Sequence, residues 1–397
     1  MIYKITTLMI GLSLLGQVVL TDEMTLDKAI QIALLNNREY NAYKLKLDQS
    51  KALLSSAFSL DKTNFFVGYD RNNVADNGYP LNIIGVEQSF SFPTVYSAQY
   101  QVNKSSISMS EKELERQKLF LTMNVSKAYY KLIYLMNKEM HYKILDSLYR
   151  NFALDSESKF KRGDIGNLER MNANARYQQV KLSLNSLKYE KEEACQRLNL
   201  LLHAETRIMV PYEPLRELEL HETDLESDPG LQYRKLETQQ QKELVKLEKN
   251  RLLPDISLTF YNGTNRFADA QNYRGYEIGI SVPLFFAGDK SRIKATEIGV
   301  AISKNMEENY LIDINLKIAK LKSELKKYRE SLDYYHTTGR ALSSEIITSS
   351  QKSYKMGEID SYQLVQSMEN AMIIEVEYID WLMQYNDIVL ELNYLTM

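Results

Sequence analysis

From Thr94 to Lys161 the sequence contains neither proline nor glycine. The two strongest helix breakers are missing from a stretch that, at about 1.5 Å per residue, would make a helix about 100 Å long. No globular domain of this size needs such an element, so the fold must be long in one direction. Leu121, Val125, Ala128, Leu132 and Leu135 recur in it at alternating steps of four and three, which keeps an apolar seam on one side.

The chain enters this stretch by a route that it uses again. Val86 to Pro93 reads VEQSFSFP and Tyr276 to Pro283 reads YEIGISVP, about 190 residues apart, with Glu87 matching Glu277, Ser91 matching Ser281 and Pro93 matching Pro283. The far ends match as well: FKRGDI at Phe160 to Ile165 and YKMGEI at Tyr354 to Ile359 share an aromatic residue, Lys, Gly, an acid and Ile. Two such pairs in the same order mark a tandem duplication. In the second copy Tyr276, Ile278, Ile280 and Val282 alternate with polar or small residues, the period of a strand. Pro283 removes a ladder donor and stops it. Asp289 is placed to N-cap a helix running from Lys290 to Tyr354. That helix carries Leu311, Ile314, Ile318, Leu321, Leu325, Tyr328, Leu332 and Tyr335, a three-four alternation that predicts left-handed paired helices.

The remaining elements fit around these two copies. Thr25 is a plausible N-cap for a helix reaching about Leu60, with Leu26, Ile30, Ala33 and Leu34 on its buried face and a break at Asn36-Asn37. Phe65, Val67 and Tyr69 alternate as a strand, 70–80 reads as a turn-rich loop, and Leu81 to Phe92 returns with Ile84, Val86, Phe90 and Phe92 on one face. Only Gln88 interrupts that face. Gly163 and Gly166 precede a return helix from Asn167 to Leu202. Residues 203–230, with Pro211, Pro214 and Pro229, link the copies. The second copy then supplies a helix from Leu231 to Leu252 and a strand from Pro254 to Tyr261. A loop over 262–275 and a final helix from Ser361 to Tyr394 complete it. The expected division is therefore a first repeat over 21–202, a linker over 203–230 and a second repeat over 231–397. Before them, Lys4 and the apolar run Ile5 to Leu15 predict a signal peptide over 1–20.

Composition excludes several functions. A net charge of −3, without a basic run interleaved by aromatics, gives nucleic acid no surface to bind. The four histidines fall without metal-ligand spacing, and no phosphate loop, nucleophile elbow or Cys–His pair is present. No cofactor, metal site or catalytic residue is expected. Cys195 is the only cysteine, so no disulfide forms within the chain.

The strands carry the functional argument. Ile256, Leu258 and Phe260 share one face of their strand, while Asp255, Ser257 and Thr259 share the other. Such alternation fits a sheet packed on a core or a barrel with lipid outside and water inside. The helices carry their own seams and leave the end of the sheet, so nothing in the chain is evident to cover the apolar face. Four strands alone would also keep open edges, which closure by oligomerisation removes.

The duplicated strand–Pro–helix stretch (SVPLFFAGDKSRIKA), LPDISLTF at Leu253 to Phe260, LDKAIQIALLNN at Leu26 to Asn37 and the two glycine turns together resemble the TolC family of bacterial outer-membrane efflux proteins. The resemblance covers nearly the whole chain after the signal segment. It implies a mainly α fold with a small β part, in which tandem-duplicated long helical hairpins form a trimeric α-barrel joined to a twelve-stranded transmembrane β-barrel. Each chain would supply four strands to that barrel. It implies a homotrimer in the outer membrane, extending into the periplasm. The partners would be a periplasmic adaptor (membrane fusion) protein, an inner-membrane pump of the RND, ABC or MFS class, and outer-membrane lipid.

The same resemblance assigns residues. Gly163 and Gly357 match the periplasmic tip turns at which an adaptor docks; Asp164 and Glu358 follow them, where the family usually has a small or hydrophobic residue. Some members place a carboxylate six residues after the tip glycine to ring the aperture. Glu169 fits in the first repeat, whereas the second has Gln363 there, Gln366 three further on and Asp360 as the nearest acid. Ile256, Leu258, Phe260, Ile278, Ile280 and Val282 would face lipid, and Pro93 and Pro283 would mark the strand-to-helix passage. Two other readings, a non-channel coiled-coil protein of the envelope and an adaptor built on a helical hairpin, account for the seams but not for four paired strands.

Overall fold

The computed structural model describes residues 24–74, 79–204, 208–221, 224–265 and 269–395. The signal peptide expected over 1–20 lies outside them. The chain runs α1 (Leu26–Asn36), α2 (Arg38–Ala52), β1 (Asn64–Val74), β2 (Pro80–Phe90), α3 (Pro93–Arg162) and α4 (Asn167–Leu202). It continues with α5 (Pro229–Asn250), β3 (Asp255–Thr264), β4 (Asn272–Ser281), α6 (Ala287–Tyr334), α7 (Arg340–Met356) and α8 (Ser361–Leu395). The four strands form one antiparallel sheet in the order β1-β2-β3-β4. The sheet and the helices are thus segregated, as duplication of a hairpin followed by two long helices requires.

Local chemistry explains most boundaries. The Thr25 hydroxyl accepts from Lys28 N and starts α1. Asn37 ends α1 and, by accepting from Tyr40 N at 2.9 Å, starts α2. The break expected at Asn36-Asn37 is therefore one asparagine serving two helices. The N-terminal helical segment ends at Ala52 rather than near Leu60, and a single 3-10 turn, Leu54–Phe58, leads into β1. The two strand-to-helix passages also differ. Pro93 is the first residue of α3, where its missing N–H costs nothing. Pro283 stands apart from α6, which begins at Ala287. Asp289 accordingly lies in the first turn of α6 and bonds Arg292; it is not the N-cap.

The long helix expected from Lys290 to Tyr354 is interrupted. At Tyr335–Gly339 one turn is a π-helix, so α6 and α7 meet through a bulge rather than a continuous α-helix. The seam of α6 ends on Tyr335, whose ring stacks on Tyr378 with centroids 3.7 Å apart and whose hydroxyl donates to Glu375 at 2.7 Å. Beyond it the buried positions are Gly339, Ser343 and Ser350, small residues that let α7 lie close on α8. The Ser343 hydroxyl donates to the Ala371 carbonyl there. A strict seven-residue repeat drifts against a straight helix, and one inserted residue brings the next seam back toward its partner.

The main core lies where α1, α3, α4 and α8 meet, around Val125, Leu132, Leu135, Leu198, Leu382 and Val389. Segment 208–221, part of the linker expected between the copies, is held against this core as an extended strap. Asn386 donates to Arg216 O at 2.7 Å and accepts from Leu218 N at 2.9 Å. Two turns along α8, Asn393 donates to Glu219 O and accepts from His221 N, both at 2.9 Å. Asn137 of α3 holds Glu213 O at 2.7 Å. Seven residues of helix rise about 10 Å, and so do three residues of extended chain, so the asparagines meet the strap in register. Asn386→Ala leaves a strap carbonyl and amide without partners and is expected to destabilise the fold by about 2–4 kcal/mol. Denaturant unfolding should register that loss, and limited proteolysis should show cleavage within 208–221 preceding cleavage elsewhere.

Candidate functional site

Two regions hold the residues singled out from the sequence: the sheet and the helical tip. In the sheet, directly paired residues lie on one face, so the register sorts every side chain. Phe65 pairs with Val86, Val86 with Phe260 and Phe260 with Tyr276; Leu258 pairs with Ile278, and Ile256 with Ile280 and Phe90. Ile256, Leu258, Phe260, Ile278 and Ile280, predicted to face lipid, therefore share a face, which extends through β2 to Val67 and Tyr69 of β1. Val282 follows just beyond the end of β4. That face lies open: Phe65 and Val67 are each 80% exposed, Ile278 68% and Ile280 69%. Toward the hairpin loops the face turns polar at Asn82, Asn262 and Arg274; nearer the helices Gln88 interrupts it, its amide oxygen accepting from Thr63 and its amide nitrogen donating to Asp61 O at 2.8 Å.

The opposite face carries Ser89, Ser257 and Gly279 in one row and Glu87, Thr259 and Glu277 in the next. Toward the hairpin loops it is bulkier than expected. Phe66 lies over Gly85 and Tyr261 over Gly275, each ring occupying the space that a Cβ on the glycine would need. Large and small residues thus alternate across the sheet. Both hairpins are also longer than predicted, with β3 reaching Thr264 and β4 starting at Asn272, inside the span read as loop. Among the described residues β1 pairs only with β2 and β4 only with β3, so both outer strands offer unpaired backbone groups.

The tip is built from two equivalent turns. Gly163 ends α3 with φ 81° and Gly357 ends α7 with φ 75°, both in the left-handed region that glycine adopts without strain. Their hydrogen bonds correspond: Asp164 N donates to Lys159 O and Glu358 N to Ser353 O, each at 2.9 Å. These are Schellman closures of the last helical turn. Neither acid that follows is idle. Asp164 bonds Arg162 at 2.8 Å, and Glu358 accepts from the Ser353 hydroxyl at 2.8 Å.

Glu169 and Asp360, from different repeats, line one cleft of about 290 Å³ together with Phe152, Lys159 and Tyr362. Asp360 N-caps α8 by accepting from Gln363 N at 2.8 Å, and the Gln363 side chain accepts from Asp360 N at 3.1 Å. This reciprocal capping box engages one oxygen of each side chain. Gln366 and Glu169 are exposed. Lys159 was not legible as part of the site. It bonds Asp155 at 2.8 Å and donates to Ser361 at 3.0 Å, tying α3 to the start of α8. Its bond to Asp155 holds the ammonium above the usual lysine range. Further along the same pair of antiparallel helices, Tyr149 donates to Glu369, Lys138 bonds Asp380 and Lys127 bonds Glu391, about three turns apart each time.

A small open-edged sheet with a bare apolar face, continuous with long paired helices ending in two glycine turns, defines a class: the fold is that of the outer-membrane channel proteins. Over 94% of this chain it superposes on 85% of the outer-membrane channel CmeC of Campylobacter jejuni, with a TM-score of 0.76 at 18% identity. It matches the outer-membrane protein VceC of Vibrio cholerae with a TM-score of 0.74 at 13% identity, covering 93% of this chain and 94% of that one. With the open state of the MtrE outer-membrane channel of Neisseria gonorrhoeae the TM-score is 0.70 at 16% identity, over 94% and 88%. No family model and no curated protein matches the sequence itself. The mainly α fold with one small four-stranded antiparallel sheet, expected from the resemblance, is the fold observed. Among the described residues no helix is long and apolar enough to cross a membrane.

Proposed function

We propose that three copies of this chain close into a channel of the outer membrane. In this reading β4 of each copy pairs with β1 of the next, and twelve strands form a barrel with lipid outside and water inside. The helices continue it as a tunnel through the periplasm, and an adaptor docks at the Gly163 and Gly357 turns to join it to an inner-membrane pump of the RND, ABC or MFS class. The chain then divides into a first repeat over 21–202, an equatorial linker over 203–230 and a second repeat over 231–397. Its function is efflux or secretion through this duct. One observation carries the reading: a sheet with both edges unpaired and one face bare of cover, at the end of a helix of 70 residues. Ring closure satisfies the edges, and lipid covers the face. Likeness in fold to outer-membrane channels supports it. A heat-sensitive trimer extracted in detergent and conducting in a planar bilayer is the expected result; a monomer without conductance overturns it.

The aperture reading follows from threefold symmetry. Around one axis, Glu169 and Asp360 from three copies form an acidic ring at the tip, offset in part by Lys159 in the same cleft. Charged rings of this kind select cations. Glu169→Gln with Asp360→Asn is expected to weaken cation selectivity in single-channel recordings. Asparagine caps helices as well as aspartate does, so α8 stays in place and the change reports charge alone. Unchanged selectivity assigns the constriction to Gln363 and Gln366 instead.

A further inference from the structure

Phe285 is 91% exposed, and Leu284 beside it 75%. With Phe286 they form an apolar turn between Pro283 and α6, where the first repeat has no counterpart because its proline opens α3 directly. The turn continues the bare face of β4 beyond Ile280 and Val282, toward the helices. Just inside α6 stand Lys290 and Lys294, one turn apart and both exposed. Three neighbouring cations are compensated: Arg292 bonds Asp289 and Glu248, Arg251 bonds Glu248 at 2.7 Å, and Lys249 bonds Glu297 at 3.2 Å. Among the described residues no carboxylate pairs with Lys290 or Lys294.

We propose that this turn and these two lysines form a binding surface for anionic phospholipid, in the leaflet at the helical end of the sheet. The inference rests on the reading that the strands face lipid. Helical side chains lean toward the N-terminus, so both lysines lean back toward the sheet. Lys290 lies about 5 Å along the axis from the start of α6, and Lys294 about 10 Å. A headgroup layer about 5–7 Å deep lies beyond the hydrocarbon on each side, which puts Lys290 at phosphate level while Lys294 reaches back along its flexible stem. Phe285, nearer the sheet, enters the acyl boundary, as aromatic side chains do at membrane interfaces. Acyl chains would cover the aromatics, and phosphate groups would neutralise the two lysines. Anionic lipid satisfies both.

The test uses the assembled full-length protein in phosphatidylcholine vesicles, with and without phosphatidylglycerol. Spin labels are attached to Phe285→Cys and, as a control, to Ile278→Cys, both in a Cys195→Ser background; serine keeps the donor that Cys195 offers to Ile208 O. Both labels are expected to be reached by oxygen and not by a water-soluble nickel chelate. Lys290→Gln with Lys294→Gln is expected to lower phosphatidylglycerol retention, read by native mass spectrometry, by about fivefold per lysine. High salt should shrink that difference. A lipid-exposed Ile278 with a water-exposed Phe285 overturns this inference and leaves the channel reading standing. A water-exposed Ile278 overturns the reading beneath it. Loss of assembly in Phe285→Ser, with position 285 shielded from both probes, identifies a contact between copies and overturns the lipid site. Undiminished phosphatidylglycerol retention in the double lysine variant overturns the headgroup assignment.

Discussion

Leu258→Arg is expected to destabilise the assembled protein in the membrane by about 2–4 kcal/mol, the cost of a cation on the lipid face near the bilayer midplane. Leu258 is mid-strand in β3, paired with Gln88 on one side and Ile278 on the other, and flanked on its face by Ile256 and Phe260. An arginine there must thin the bilayer locally or snorkel past its neighbours. Ser257, next in the chain, points to the other face against Gly279. Ser257→Arg adds its charge to a water-filled lumen and is expected to change stability by no more than about 0.5 kcal/mol. The contrast between adjacent residues is the informative quantity, because a strand slipped by one position would reverse it. Urea unfolding from lipid vesicles measures both variants. Equal costs, or a larger cost for Ser257→Arg, would mean that the sheet packs on protein or presents its other face to lipid.

Gly163→Val together with Gly357→Val is expected to abolish efflux while leaving the trimer and its membrane insertion intact. A β-branched residue at φ near +80° costs about 1–2 kcal/mol for each position by steric clash with the carbonyl. Beyond the adjoining residues of the turn nothing crowds either site, since a Cβ there would meet no other atom within 4 Å. The penalty is therefore purely conformational and is relieved by opening the turn, which displaces Asp164 and Glu358 and frays the last turns of α3 and α7. The core around Leu132 and Val389 and the sheet lie far along the helices and are untouched. Susceptibility to a drug panel, set against trimer yield on a semi-native gel, separates the outcomes. Loss of the trimer would make these glycines determinants of assembly and remove the docking assignment.

Features set by a few neighbouring residues were legible in the sequence. The strands announced themselves by a period of two, the helices by three-four seams and by the lack of proline and glycine from Thr94 to Lys161. The tip turns were legible because a left-handed helix ending requires glycine, and the duplication made the two turns recognisable as a pair. The face of each strand followed from alternation alone, and Ile256, Leu258, Phe260, Ile278 and Ile280 lie together as expected.

Features that depend on a partner element were not legible. The π-turn at Tyr335–Gly339 contains Thr337, Thr338 and Gly339, which favour helix weakly, but their composition does not specify a one-residue insertion; beyond it the small buried residues of α7 lie on α8. Asn137, Asn386 and Asn393 stand among apolar residues of their helices, and only the strap lying across them shows what they bind. The Lys159–Ser361 tie across the tip, and the capping box that occupies part of Asp360, likewise join or reorder residues whose chemistry looked independent. The sequence by itself determined the elements, their order and the two-sided character of the strands, since period, capping and glycine φ are properties of a few consecutive residues. The tertiary structure decided register, the phase of α7 and the course of 208–221. Those depend on which groups from distant parts of the chain arrive opposite one another, and buried polar groups accept only partners that complete their hydrogen bonds.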